Sequence, residues 1–217
     1  MMTNLFSVFD PSTGTMSMNW LSILFVLMLP LSFWNLPSKH LLIIFFIMKK
    51  MMNEIIMHLK NVESSIIMVS LFMFILINNI MGLFPYIFTA SSHVSFSLAL
   101  ALTIWLSLMI FGWLNKTNMM FIHLVPVGTP IFLMPFMVII ESISNIIRPG
   151  SLAVRLSANM IAGHLLMSLL GNNLMNNFYL MIMMIWMFML LLVFEMAVAF
   201  IQSYVFMTLS TLYSSEI

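Results

Sequence analysis

Glu141, Asn145, Arg148, Arg155 and Asn159 occupy a stretch whose other residues are mostly fit for lipid. With Ser151 or Leu152 between the arginines, their spacing runs in steps of three or four, so a helix would align them along one face. His164 follows on the same stretch, and Glu195 and Gln202 interrupt the next apolar run. Carboxyl and imidazole groups take up and release protons, and amides hydrogen-bond water, but an arginine keeps its charge and demands a partner. A charge at the bilayer centre costs at least about 2.5 to 3.5 kcal/mol, so such residues face protein or water and are functional candidates. Moving an ion or a proton through the membrane is the chemistry these groups suit. A plainer reading makes Glu141 and Arg148 an interfacial ion pair and His164 and Glu195 a static link between helices.

Other chemistries find no support in the sequence. No two histidines stand three or four residues apart and no carboxylate cluster surrounds one, so no metal site is expected. Neither G-x-S-x-G nor a phosphate-binding glycine loop is present, and no cofactor is expected. Without cysteine there is no disulfide, thiolate site or cysteine nucleophile. A formal charge of +1 does not suit nucleic-acid binding.

The elements that must carry these residues follow from composition. Of 217 residues, 63% are hydrophobic and 6% charged, where an ordinary globular domain is about 25% charged. The bilayer is therefore the expected solvent. Helices are the expected structure, because backbone facing lipid must satisfy its own hydrogen bonds and the alternation of a barrel is missing. The 27 methionines read as adaptable apolar filler.

Residues 1–217 divide, as one membrane domain, into an N-terminal segment 1–19, a first crossing 20–36, a charged surface segment 39–63, a helical hairpin 66–114 and a long hairpin 130–213. Trp20 and Trp34 suit the two interfaces of the first crossing, and Pro30 suggests a kink within it. Lys50, Glu54, His58 and Asn61 recur opposite Ile55, Ile56 and Leu59, the pattern of an amphipathic helix on the membrane surface. Lysines before residue 66 and Lys116 after the hairpin share one side. The positive-inside rule makes that side cytoplasmic or the matrix, with the N-terminus opposite.

Pro149 and Gly150 leave two architectures for residues 130–170. A break there gives two vertical crossings, with Arg155 about one turn from an interface, where snorkelling is cheap. A continuous helix of about 41 residues runs roughly 60 Å, twice the lipid core, and must tilt. The tilted form is favoured because it puts Arg155 and Glu195 near the middles of their helices at comparable depth. His164, nine residues after Arg155, then points about 180° away from it and toward Glu195 on the neighbouring helix. Gln202, two turns beyond Glu195, lies on Glu195's face.

The run Arg148-Pro149-Gly150-Ser151-Leu152-Ala153-Val154-Arg155-Leu156-Ser157-Ala158-Asn159-Met160-Ile161-Ala162-Gly163-His164 closely resembles the signature of subunit a of F-type ATP synthases. The stretch from Glu195 through Gln202 to Phe206 resembles that family's last helix, and Ile80 to Pro85 carries a looser likeness. Histidine at 164 with glutamate at 195, the short chain and the many methionines look like the mitochondrially encoded form.

The resemblance implies an all-α integral membrane protein of about five transmembrane helices and one amphipathic surface helix, its last two helices forming a long tilted hairpin. It also implies residence in the mitochondrial inner membrane, with the c-subunit ring, other stator subunits, lipid and protons as partners. In that family's terms Arg155 would meet each ring carboxylate and block a proton short-circuit. Glu141 would line the half-channel toward the matrix; Asn159, His164, Glu195 and Gln202 would line the one from the intermembrane space. Ala158 departs from the glycine of many bacterial relatives, which bears on local packing.

Overall fold

A computed structural model describes residues 5–29, 36–59, 62–125, 129–174 and 178–216, and among them every regular element is helical. Six α-helices follow one another: α1 Lys39–Leu59, α2 Val62–Gly82, α3 Val94–Asn115, α4 Thr117–His123, α5 Met134–Leu174 and α6 Phe178–Glu216. Short 3-10 helices cover Leu5–Phe9, Met18–Met28, Ala90–Ser92 and Ile131–Leu133. Among the described residues four helices are long and apolar enough to cross a membrane, those holding Glu63–Gly82, Val94–Asn115, Ile131–Asn172 and Met184–Ser215.

Several hydroxyls and amides within these apolar helices are satisfied locally. Asn78 Nδ2 donates to the Phe74 carbonyl at 3.0 Å, Ser70 to Ile67 at 2.7 Å and Ser107 to Ile104 at 2.7 Å. Such back-bonding keeps these donors from facing hydrocarbon unbonded.

The expected first crossing appears as a 3-10 helix over Met18–Met28, about 22 Å long at 2.0 Å per residue. The kink expected at Pro30 lies outside the described residues. On α1, Lys49, Lys50, Glu54 and His58 are exposed, while Ile55 is buried against Met68, Val69 and Phe72 of α2 and Met207 of α6. The helix is thus amphipathic as its sequence suggests, and its apolar side is covered by the bundle.

α5 runs unbroken for 41 residues with Pro149 inside it, so the continuous alternative is the one realised. A proline there lacks the N–H that would bond the Asn145 carbonyl. Hydroxyls nearby bond other carbonyls of the same turns, Ser144 to Glu141 at 2.8 Å and Ser151 to Arg148 at 2.9 Å. At roughly 60 Å, α5 exceeds the hydrocarbon thickness about twofold and crosses it obliquely.

Ala153, Leu156 and Ser157 of α5 and Ala199 and Ser203 of α6 are all essentially buried. Small residues let two backbones approach where no water drives association. Behind them, Ile75 of α2, Ala101 of α3, Leu152 of α5 and Phe206 of α6 share one apolar cluster.

Candidate functional site: the polar line of the α5–α6 hairpin

Arg155 stands at the middle of α5, with α5 spanning residues 134–174, and Glu195 near the middle of α6. Their environments differ. Arg155 is exposed and has no hydrogen bond or ion pair among the described residues. Its surroundings on α5 are exposed too: Ser151, Val154 and Ala158. The hairpin continues that outward face with bare apolar side chains such as Ile147, Val193, Phe194 and Ile201. A cation that cannot be neutralised, carried on an apolar outer face, needs a compensation that the described residues do not supply.

Glu195 is buried at 5% exposure and likewise makes no hydrogen bond among the described residues. Its carboxylate lies on the backbone of Gly163, where any Cβ would collide with it. Gly163 is thereby the residue that lets α6 bring a carboxyl against α5. One α-helical turn earlier on α5, Asn159 Nδ2 donates to Gln202 Oε1 at 3.0 Å, and Gln202 is 5% exposed. Asn159 with Gln202 and Gly163 with Glu195 form two successive rungs between antiparallel helices.

His164 does not join this line. Four residues separate Asn159 from Gly163, which keeps both toward α6, but one further residue turns His164 by about 100°. Its ring instead meets Phe9 edge-on, centroids 6.2 Å apart, and its buried Nε2 has no hydrogen-bond partner among the described residues. The direct His164–Glu195 contact expected from the sequence is therefore replaced by a Gly163–Glu195 contact. Other buried polar atoms at this end also lack partners among the described residues: both amide atoms of Asn79, Ser91 Oγ and His93 Nε2. His93 sits between Trp20 and Phe88, ring centroids 5.1 Å from each. Nothing in the sequence pattern marks Ser91 or Gly163. Asn79 alone carried a visible signal, an amide within a crossing.

At the opposite end of the hairpin the polar residues border open space. Glu141, Asn145 and Arg148 line a cavity of about 500 Å³ whose other walls include Trp105 and Trp113 of α3, His123 of α4 and Tyr213 of α6. Arg148 reaches Glu141 at 3.5 Å and lies over the Tyr213 ring at 5.0 Å, so this pair is braced between helices. Lys116, between α3 and α4, marks this as the end nearest the positive side expected from the sequence. No cluster of three potential metal ligands occurs among the described residues.

An apolar helical hairpin long enough to cross a membrane, with a mid-helix arginine that has no partner among the described residues, a polar-lined cavity at one end and buried polar groups toward the other, fits a membrane protein that passes ions. The description of the ATP synthase A chain family matches residues 15–215. "ATP synthase subunit a" of Drosophila melanogaster is 55% identical over 223 residues, and those of Anopheles quadrimaculatus and Aedes aegypti are each 54% identical over 225 residues. All three alignments cover the whole of both chains. The chain belongs to the ATP synthase A chain family, the proton-translocating stator subunit of the enzyme's membrane sector.

Proposed function

We propose that Arg155 separates two offset proton half-channels and faces, in turn, each carboxyl of a rotating c-subunit ring in the mitochondrial inner membrane. The observation that carries this reading is the exposed mid-helix guanidinium of Arg155, which has no partner among the described residues. A ring carboxyl that is protonated is neutral and turns through lipid; ionised, it is held back by the cost of burying charge. Arg155 stabilises the ionised form and so unloads the proton. Its fixed positive charge opposes a proton hopping straight from one path to the other.

Glu141 and the cavity around it serve the matrix side. Asn159, Glu195 and Gln202 serve the intermembrane-space side, with His164 on the flank of that path. Buried polar atoms that lack partners among the described residues, as at Asn79, His93 and His164, support a hydrated route there, because buried polar groups are rarely left unbonded. About 21 Å of α5 separates Glu141 from Arg155, and about 12 Å separates Arg155 from Gly163. A proton bridges the two paths only by riding the ring, and the membrane potential, about 2.3 kcal/mol per charge per 100 mV, becomes torque.

Proton flux in liposomes, with this chain in the stator complex and the c-ring present or omitted, tests the reading. Coupled flux is expected only with the ring. Equal flux without it would remove the ring from the mechanism.

A further inference from the structure

The Glu141 cavity opens at a histidine that the two-path reading does not use. His123 is the last residue of α4, is exposed, and shares the cavity wall with Glu141, Arg148 and Tyr213. Its position is fixed by packing: Phe121 meets Trp113 of α3 edge to face with centroids 5.0 Å apart, folding α4 back against the end of α3. Trp113 itself lines the cavity, as does Trp105, whose buried indole N–H has no hydrogen-bond partner among the described residues. The wall thus carries the polar side chains of Glu141, Asn145 and Arg148 together with the exposed His123 ring.

Of the groups on that wall, the guanidinium of Arg148 keeps its protons and is engaged by Glu141 and the Tyr213 ring. A neutral imidazole both accepts at one ring nitrogen and donates at the other, so it can pass a proton on without holding it. The charged and titratable groups facing His123 are Glu141 and Arg148 from α5 and Tyr213 from α6, with Lys116 one residue before α4 begins.

We propose that His123 is the proton-transfer group at the mouth of this cavity, relaying protons between Glu141 and the aqueous phase on the Lys116 side. In the outward direction the unprotonated ring nitrogen takes a proton delivered from Glu141 through cavity water. The imidazolium then gives the proton on its other nitrogen to bulk water, and ring rotation restores the starting form. No bond other than those to the proton changes. The inference rests on the proposed half-channel reading, which supplies the proton at Glu141.

The test uses the assembled complex in vesicles whose Lys116 side faces the medium, with proton-driven ATP synthesis measured in weakly buffered solution. H123A and H123Q are each expected to turn over roughly tenfold more slowly, less than for a proton-transfer group in a closed site because water reaches this rim. Added imidazole is expected to restore most of that loss and to leave the unsubstituted complex unchanged. Should H123A assemble poorly, H123Q alone carries the comparison. Unchanged rates, or a loss that imidazole does not restore, would overturn the relay. R155A in the same vesicles separates the two claims: its activity is expected to be lost with or without imidazole, and if it made ATP normally the half-channel reading itself would fall.

Discussion

The two ends of the α5–α6 hairpin carry similar side chains in opposite settings. Around Glu141 and Arg148 the neighbouring helices stand apart, the ion pair is only partly covered, and a cavity of about 500 Å³ adjoins it. Around Glu195 and Gln202 the helices close on alanine, serine and glycine, and the same kinds of polar groups are almost fully buried. Residue type alone does not explain this. Trp105, Trp113 and Tyr213 line the cavity at the first end, whereas Gly163 and Ala199 are buried where α5 and α6 meet at the second. Side-chain size thus accompanies the contrast between an open end and a close-packed one on either side of Arg155.

Replacing Arg155 should produce the largest effect, because it removes the element that keeps the two ends apart. Arg155→Ala is expected to reduce ATP synthesis in coupled membranes at least about 100-fold while the complex still assembles, the loss being read from assembled complex on a native gel. Arg155→Lys should also be badly impaired, since an ammonium has a different reach and no planar fork. Near-normal synthesis by either variant would dissolve the contrast between the ends into simple packing.

Gly163→Val should come next. Its side chain would displace the Glu195 carboxylate and wedge the narrow end open, and a loss of about tenfold or more in coupled turnover is expected, comparable to a local overpacking of 1–3 kcal/mol. Glu195→Ala should mimic that loss, and the two changes together should cost much less than their product. His164→Ala is expected to weaken turnover independently of Glu195→Ala, as the two side chains belong to different lines. Strong non-additivity between His164 and Glu195 would restore their direct pairing and contradict the rotation described above.

At the open end Glu141→Gln should slow turnover by a smaller factor, roughly threefold to tenfold, because cavity water offers protons another route. Steady-state ATP synthesis set against ring crosslinking from α5 separates the two possible effects: crosslinking should persist while flux falls. Unchanged flux would leave Glu141 as a plain ion-pair partner of Arg148. Smallest of all should be the Asn159–Gln202 rung. A double-mutant cycle to alanine on complex stability is expected to give a coupling near 0.6 kcal/mol, typical of polar contacts between membrane helices. A coupling of zero would mean that this bond does not hold the narrow end together.

The mid-helix position of Glu195 was legible from the length of its apolar run. Pro149 and Gly150 left two architectures open for α5, and the continuous one was favoured only because it brought Arg155 and Glu195 to comparable depth. The partner of Glu195 was not legible. Periodicity describes the face of a single helix, whereas contact between two helices depends also on their relative rotation and offset. A shift from Gly163 to His164, one residue, decided it. The role of Gly163 is hidden for a further reason: a glycine's contribution here is the volume it does not fill, visible only when the neighbouring carboxylate is in place. Similarly, the ring of His93 acquires meaning from Trp20, which is distant in sequence.

The role proposed for Arg155 depends most directly on where the outer face of α5 points. The chain has no native cysteine, so single cysteines at Val154 and Ala158, which flank Arg155 on its exposed side, can be paired with a cysteine placed beside the ring carboxyl. Leu106 on α3, equally apolar and 48% exposed, provides the control position. Disulfide crosslinking in the assembled complex is predicted to join Val154→Cys and Ala158→Cys to the ring and to leave Leu106→Cys unlinked. Crosslinking from Leu106→Cys, with none from the two α5 positions, would place the ring against another face and contradict the role assigned to Arg155.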